Sequence, residues 1–325
     1  MLYFLGCVGL LIAGYFIYGG IVDRIFGPDP KRPTPATTHA DGIDYVEMKP
    51  LKIFLVQLLN IAGLGPIFGP ILGALYGPTA LIWIVIGCIF GGAVHDYFSG
   101  MLSIRHEGRS IPGVVGEQLG NGFRHFMRVF SIVLLMLVGV VFILGPAKLL
   151  GKMSGLAVPA WVAIIIAYYF LATILPVDKL IGRLYPLFGA VLLFMALGLT
   201  IALFASDHTI IPQATMANLH PKNLPLWPLM FITIACGAIS GFHATQSPLM
   251  ARCVKNERHG RPLFYGAMIG EGIIALVWAT LGMSFYKSPE ALNAALAQGG
   301  PAFVVNQIST SLLGGVGGLL AVIGV

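Results

Sequence analysis

The sequence predicts an all-α polytopic membrane protein organised around two broken helices, and three observations carry that expectation. Of 325 residues, 57% are hydrophobic and only 10% charged, against roughly 25% charged in a soluble domain whose surface must face water. The apolar residues gather into runs of about 20, the length that crosses a hydrocarbon core as a helix. Two of those runs are interrupted by clustered glycine and proline. The mean hydropathy is +0.87. The formal charge of +6 does not point to nucleic acid, because the basic residues fall in short connectors and form no continuous patch.

The first run, residues 2–22, has no basic residue before it and Arg24 after it. That is the pattern of a spanning helix, an extra one ahead of the core, and not of a cleaved leader. The connector 23–50 is the most polar stretch, with KRPTPATTHADG at its centre, and is expected to be a solvated cytoplasmic loop. Runs at 51–75, 79–102, 126–149, 158–175 and 184–205 follow, with the polar segment 110–123 expected as an interfacial or re-entrant helix. After the connector 206–225 come runs at 226–250 and 263–285, and an unfinished run from Ser311. Eight complete spans and part of a ninth are therefore expected, with helix ends uncertain by a few residues.

Charge supports this order. Counting alternate connectors places fifteen of the 19 basic residues on one side, among them Arg24, Arg105, Arg183 and Arg252. The other side receives Lys148, Lys152, Lys222 and Lys287. The excess marks the cytoplasmic side, which puts the N-terminus outside.

The second run reads LVQLLNIAGLGPIFGPILGAL and the seventh FITIACGAISGFHATQSPLMARC. Proline removes an N–H and glycine loosens the chain, so both segments should unwind within the membrane. Freed backbone groups are tolerated there only in buried protein or beside a cavity. Counted from the second run, the two are the first and sixth helices, running in opposite directions. That is the arrangement of a five-plus-five inverted repeat, residues 51–205 and 226–325, with discontinuous first helices. Candidate substrate-binding residues are Gln57, Asn60, Gly63, Gly65, Pro66 and Gly69 at one break. At the other they are Gly237, Ser240, His243, Gln246 and Ser247. The competing reading is that these glycines only allow helices to pack closely. No acidic residue adjoins either break in the sequence, which favours a monocarboxylate over a substrate with a cationic amine.

Three ionisable residues inside runs are candidates for proton coupling. Glu271 lies deep in the eighth, where a carboxylate must be paired, hydrated or protonated. His95 and Asp96 are expected near the cytoplasmic end of the third, with Asp96 capping the loop or holding Arg105. Cys7, Cys88, Cys236 and Cys253 show no ligand spacing, so no metal or cofactor is expected. HEGRS at 106–110 lacks the second histidine of a zinc protease, GAISG has one residue too many for a rhomboid-type serine motif, and there is no P-loop. An enzyme is not expected. A membrane sensor is the alternative of another class.

The long polar-studded stretches NIAGLGPIFGPILGALYGP (60–78), GGAVHDYFSGMLSIRHEGRSIPGVVGE (91–117), GPAKLLG (145–151), GAISGFHATQSPLMARC (237–253) and YGAMIGEGIIALVWA (265–279) carry a resemblance. The sequence resembles the carbon starvation protein family (CstA) along its whole length. The resemblance implies a bacterial inner-membrane transporter induced on nutrient limitation. Its expected partners are a small-molecule substrate, a proton and membrane lipid. Family proteins are described as peptide transporters, and relatives as pyruvate–proton symporters. Grouping with the amino acid–polyamine–cation superfamily implies a LeuT-like core, in agreement with the repeat read from the breaks. Family members are longer, so the second repeat is expected to be incomplete here.

Overall fold

The computed structural model describes residues 1–174, 177–212 and 215–324, and among them every regular element is helical. Leu175 of the fifth expected run, and Gln213 and Ala214 of the 206–225 connector, lie outside the described residues, as do the side chains of Lys152, Lys179 and Arg183.

Helix α1 (Leu2–Phe26) is a single span that reaches further than its apolar run, taking in Asp23 and Arg24. The extension is stable because Tyr97 donates from its hydroxyl to Asp23 Oδ1 at 2.7 Å, and because Gly27, at φ 65°, ends the helix in a left-handed turn. The connector after it is mostly exposed, with residues 37–44 all at the surface, but it is anchored at a few points. Ala36 and Thr34 are fully buried, Met48 N–H donates to Cys253 O, and Asn256 Nδ2 donates to Pro30 O at 3.0 Å.

The second run is bent as its composition demands. Helix α2 (Pro50–Ile61) stops, three non-helical residues intervene, and α3 (Gly65–Tyr76) resumes at 47° to it. Helix α4 (Thr79–Arg105) is longer than its apolar run and contains a wider π turn at Cys88–Gly92. A nine-residue helix α5 (Ile111–Leu119) forms in the segment expected not to span. Helix α6 (Asn121–Ser154) and helix α7 (Val158–Ile174) keep mostly exposed apolar side chains, such as Phe126, Leu137 and Phe170, as lipid-facing helices do. Helix α8 is Val177–Ala205.

The seventh run does not form one helix. After short helical pieces, among them Phe231–Thr233 and Ala235–Ala238, helix α9 (His243–Ala251) completes it. Helix α10 (Glu257–Phe285) is the central post of the fold, with Trp278, Tyr265 and Phe264 fully buried. Where solvent is hydrocarbon, burial of apolar surface does little to hold helices together, and close packing takes over. Here Gly19 of α1 lies under the Tyr265 ring and Gly282 of α10 against Ala74, positions where a Cβ would stand 2.9 and 3.0 Å from its neighbour.

Among the described residues, five helices are long and apolar enough to cross a membrane, six if the bent α2–α3 pair is one span. Two of the eight complete runs expected, 158–175 and 226–250, fall outside that test. Helix α7 has 17 residues, under the usual spanning length, and the seventh run is divided by its break. The ninth run is also corrected. It does not start at Ser311 but lies within α11 (Pro289–Gly324), which is kinked at Gly299, Gly300 and Gly314.

Candidate functional site

The two breaks face each other. Gly65, Gly69 and Gly237 are the reason they can. A Cβ on Gly65 would lie 2.7 Å from Cys236 Cβ, and one on Gly69 would lie 2.8 Å from the carbonyl oxygen of Thr233. Gly237 lies 3.5 Å, by the same measure, from Pro66 Cβ. Close packing thus accounts for these three glycines, and Gly63 likewise lies against the Phe142 ring. Both readings of the glycines meet here, since the packing is what brings the unwound segments together.

Inside the second break, Cys236 (φ −69°, ψ 128°) and Gly237 (φ 94°, ψ −18°) have the dihedrals of a type II turn. A turn in mid-span frees a backbone N–H that a helix would have satisfied, and such a group must find an acceptor. Glu271 supplies it, its Oε1 accepting from Gly237 N–H at 3.0 Å. The other carboxylate oxygen faces His243, with Oε2 at 3.0 Å from Nε2. On its far side His243 Nδ1 lies 3.8 Å from Asp96 Oδ2. Asp96, His243 and Glu271 are all fully buried.

Asp96 is held by two further candidates. Gln57 Nε2 donates to its Oδ1 at 3.1 Å and to Ser247 Oγ at 2.9 Å, and Ser247 Oγ donates to Asp96 Oδ1. His243 and Ser247 are four residues apart on α9 and so share a face. Gln246 is buried one turn from His243, and Ser240 is buried with its hydroxyl 3.8 Å from Cys236 Sγ. Not every polar atom is satisfied. Neither ring nitrogen of His243 makes a well-directed hydrogen bond, and Glu271 Oε2 and Gln57 Oε1 have none. Unsatisfied buried groups of this kind are costly, and they collect at sites that take up a proton, a water or a ligand.

Two expectations are corrected. Asp96 neither caps the loop nor holds Arg105, because α4 continues for nine residues past it and turns it inward. Arg105 is held instead by Glu257 at 3.2 Å and by the carbonyl of Gly27 at 2.7 Å. Second, an acidic residue does adjoin each break. Asp96 reaches Gln57 from α4 and Glu271 reaches Gly237 from α10, a proximity that linear sequence conceals. His95 is half-buried on α4 with an unpartnered Nδ1 and makes no hydrogen bond into the cluster. Asn60 and Gly63 line an open groove with Phe142, Tyr168 and Phe242. Phe142 and Phe242, both lining this groove, have ring centroids 6.3 Å apart. Sequence reading missed both rings, since phenylalanine in an apolar run carries no signal of its own.

The family described as carbon starvation protein CstA matches this chain over residues 1–154 and 144–313. An uncharacterized membrane protein of Haemophilus influenzae is 50% identical, over 92% of this chain and 95% of its own length. The peptide transporter CstA of Bacillus subtilis is 29% identical over 83% of this chain and 56% of its own length. The pyruvate/proton symporter BtsT of Escherichia coli is 26% identical over 81% and 46%. The chain thus spans about half the length of the named transporters it matches, and nearly all of the Haemophilus protein. No solved structure matches it.

Proposed function

The chain belongs to the carbon starvation protein CstA family, and from that premise we propose that it acts as a secondary active transporter, taking up small peptides with protons when carbon or nutrients run short. The observation that carries the reading is the meeting of Asp96, His243 and Glu271, fully buried, at two helix breaks. With no proton on any of them the cluster carries two negative charges. A first proton, on His243, leaves one, and a second makes the cluster neutral. A dry interior penalises net charge strongly, so the second proton is the one whose loading and release can be tied to a change of state.

Substrate recognition follows from the same breaks. Helices α3 and α9 both start there, and neither has a side-chain cap on its first N–H groups. Such N-termini suit a carboxylate. A peptide also brings an ammonium group, for which Asp96 and Glu271 are the complementary partners, and this removes the one sequence observation that favoured a monocarboxylate. Pyruvate remains the second reading, supported by the likeness to the Escherichia coli symporter.

In this reading the breaks belong to a LeuT-like inverted-repeat core, with 51–205 as the first repeat and 226–325 within the second, preceded by one extra helix, and the chain is not an enzyme. The fifteen-to-four charge count supports an inner-membrane protein with its N-terminus outside. Uptake of labelled dipeptide and labelled pyruvate into proteoliposomes under an imposed proton gradient tests the proposal. Accumulation of dipeptide supports it, accumulation of pyruvate alone transfers it to the second reading, and accumulation of neither sinks it.

A further inference from the structure

One carboxylate binds the freed Gly237 N–H through one oxygen and faces the His243 ring with the other. Glu271 Oε1 accepts from the backbone of the break, and Oε2 lies 3.0 Å from His243 Nε2. One oxygen therefore holds the fold of the unwound segment while the other stands in line for a proton. We propose that Glu271 is a positioning residue that converts protonation into movement of the break, by pinning the type II turn at Gly237 when ionised and loosening it when neutral. The inference rests on the proton-coupled reading above and names the device by which that site would act.

The step balances without any further reactant. The Nε2–H bond of an imidazolium at His243 breaks, an O–H bond forms at Glu271 Oε2, and the ring becomes neutral as the carboxylate becomes an acid. A hydrogen bond to an ionised acceptor is roughly twice as strong as one to a neutral acceptor. Protonation on Oε2 therefore weakens the grip of Oε1 on Gly237 N–H without any change of partner. The turn has no comparable alternative, because Gly237 N–H has left the helical ladder and Glu271 is the acceptor it meets. The titratable groups that act on Glu271 come from every neighbouring element: His243 from α9, Cys236 from the break itself, and Asp96 and Cys88 from α4. Cys88 is engaged elsewhere, its Sγ donating to Met268 O at 3.3 Å, so His243 is the direct proton partner.

Backbone hydrogen–deuterium exchange of the full chain in lipid nanodiscs, without substrate or gradient, tests this. The native protein, Glu271→Gln (a neutral stand-in for the protonated acid) and Glu271→Asp are compared at matched pH, where intrinsic exchange chemistry cancels. The expected result is about tenfold faster exchange over residues 234–240 in Glu271→Gln than in the native chain at alkaline pH. That difference should close at acid pH, with partial protection restored by Glu271→Asp. Unchanged exchange over residues 94–105 of α4 verifies that the variant is folded. Equal exchange of the native chain and Glu271→Gln at every pH overturns the inference. If Glu271→Gln does not fold, the native chain decides alone: protection at 234–240 that does not vary with pH, after correction for intrinsic rates, overturns it equally. Failure of dipeptide uptake leaves this measurement untouched, and a flat exchange profile leaves uptake untouched, so the two readings fail separately.

Discussion

Gly237 and Gly241 lie four residues apart in the same unwound segment, yet a methyl group added to each should have very different effects. Gly237 has φ 94°, a conformation that costs a non-glycine residue about 1–3 kcal/mol. Its added Cβ would also lie 2.7 Å from Ala275 Cβ, well inside the 3.5–4.0 Å at which carbon atoms rest. Relieving that overlap on the central helix α10 costs about 1–3 kcal/mol more. Gly241 has no left-handed φ and nothing within 4 Å of its added Cβ. Gly237→Ala should therefore lose about 2–6 kcal/mol, and Gly241→Ala less than about 1 kcal/mol. Thermal unfolding in detergent, followed by the loss of the monodisperse peak in size exclusion, measures both. Equal melting of the two variants would refute the placement of the turn at Gly237.

Other consequences follow from the same geometry. Glu271→Gln should abolish proton-driven accumulation while retaining substrate exchange across equally buffered membranes; unaltered accumulation would remove Glu271 from the coupling step. Gln57→Leu should destabilise the protein by about 1–3 kcal/mol by leaving Asp96 and Ser247 short of a buried donor. A double-mutant cycle with Ser247→Ala should then show clear non-additivity, and additive losses would count against a shared network. Glu257→Gln should free the 27–32 stretch, because that fully buried carboxylate holds Arg105 and accepts from Asp29 N–H at 2.7 Å. With Arg105 one-quarter exposed, a loss of about 1–3 kcal/mol is expected, together with faster proteolysis of the connector. Acid should act on the same connector. Lys255 and Thr37 hold Glu47 below its ordinary value of 4.5, and backbone N–H groups, first that of Ile43, hold Asp41 below 3.8. A depressed carboxylate stabilises the fold above its unfolded value and loses that contribution as pH falls through the folded one. Limited proteolysis of residues 27–49 should thus accelerate below about pH 4 and be flat from pH 6 to 8.

Much of the candidate site was legible because the signals were local. Gly65 and Pro66 announced the start of α3, and Gly237 the turn in the seventh run. His243 and Ser247 stand out beside the second break, and α9 sets them on one face. What was not legible lay in contacts between distant segments. The apolar run ends six residues past Asp96, whereas α4 absorbs Ser103 and Arg105 by giving them partners, Ser103 Oγ to Arg109 O and Arg105 to Glu257. The connector after α1 is as exposed as its composition implies, but its anchor on Glu257, more than two hundred residues later, is not written locally.

By itself the sequence determined that this is an all-helical chain with membrane-spanning segments, and where two of them fail as helices. Those properties follow from a local rule: in hydrocarbon each segment must satisfy its own backbone, so length, apolarity and breakers are written segment by segment. Only the tertiary structure decided that Gln57, Asp96, His243, Ser247 and Glu271 form one buried cluster. Their meeting depends on the 47° bend between α2 and α3, the turn at Gly237 and the glycine contacts that seat one break on the other. Rotation and tilt of packed helices are set by contacts across the whole fold, and no single stretch of sequence contains them.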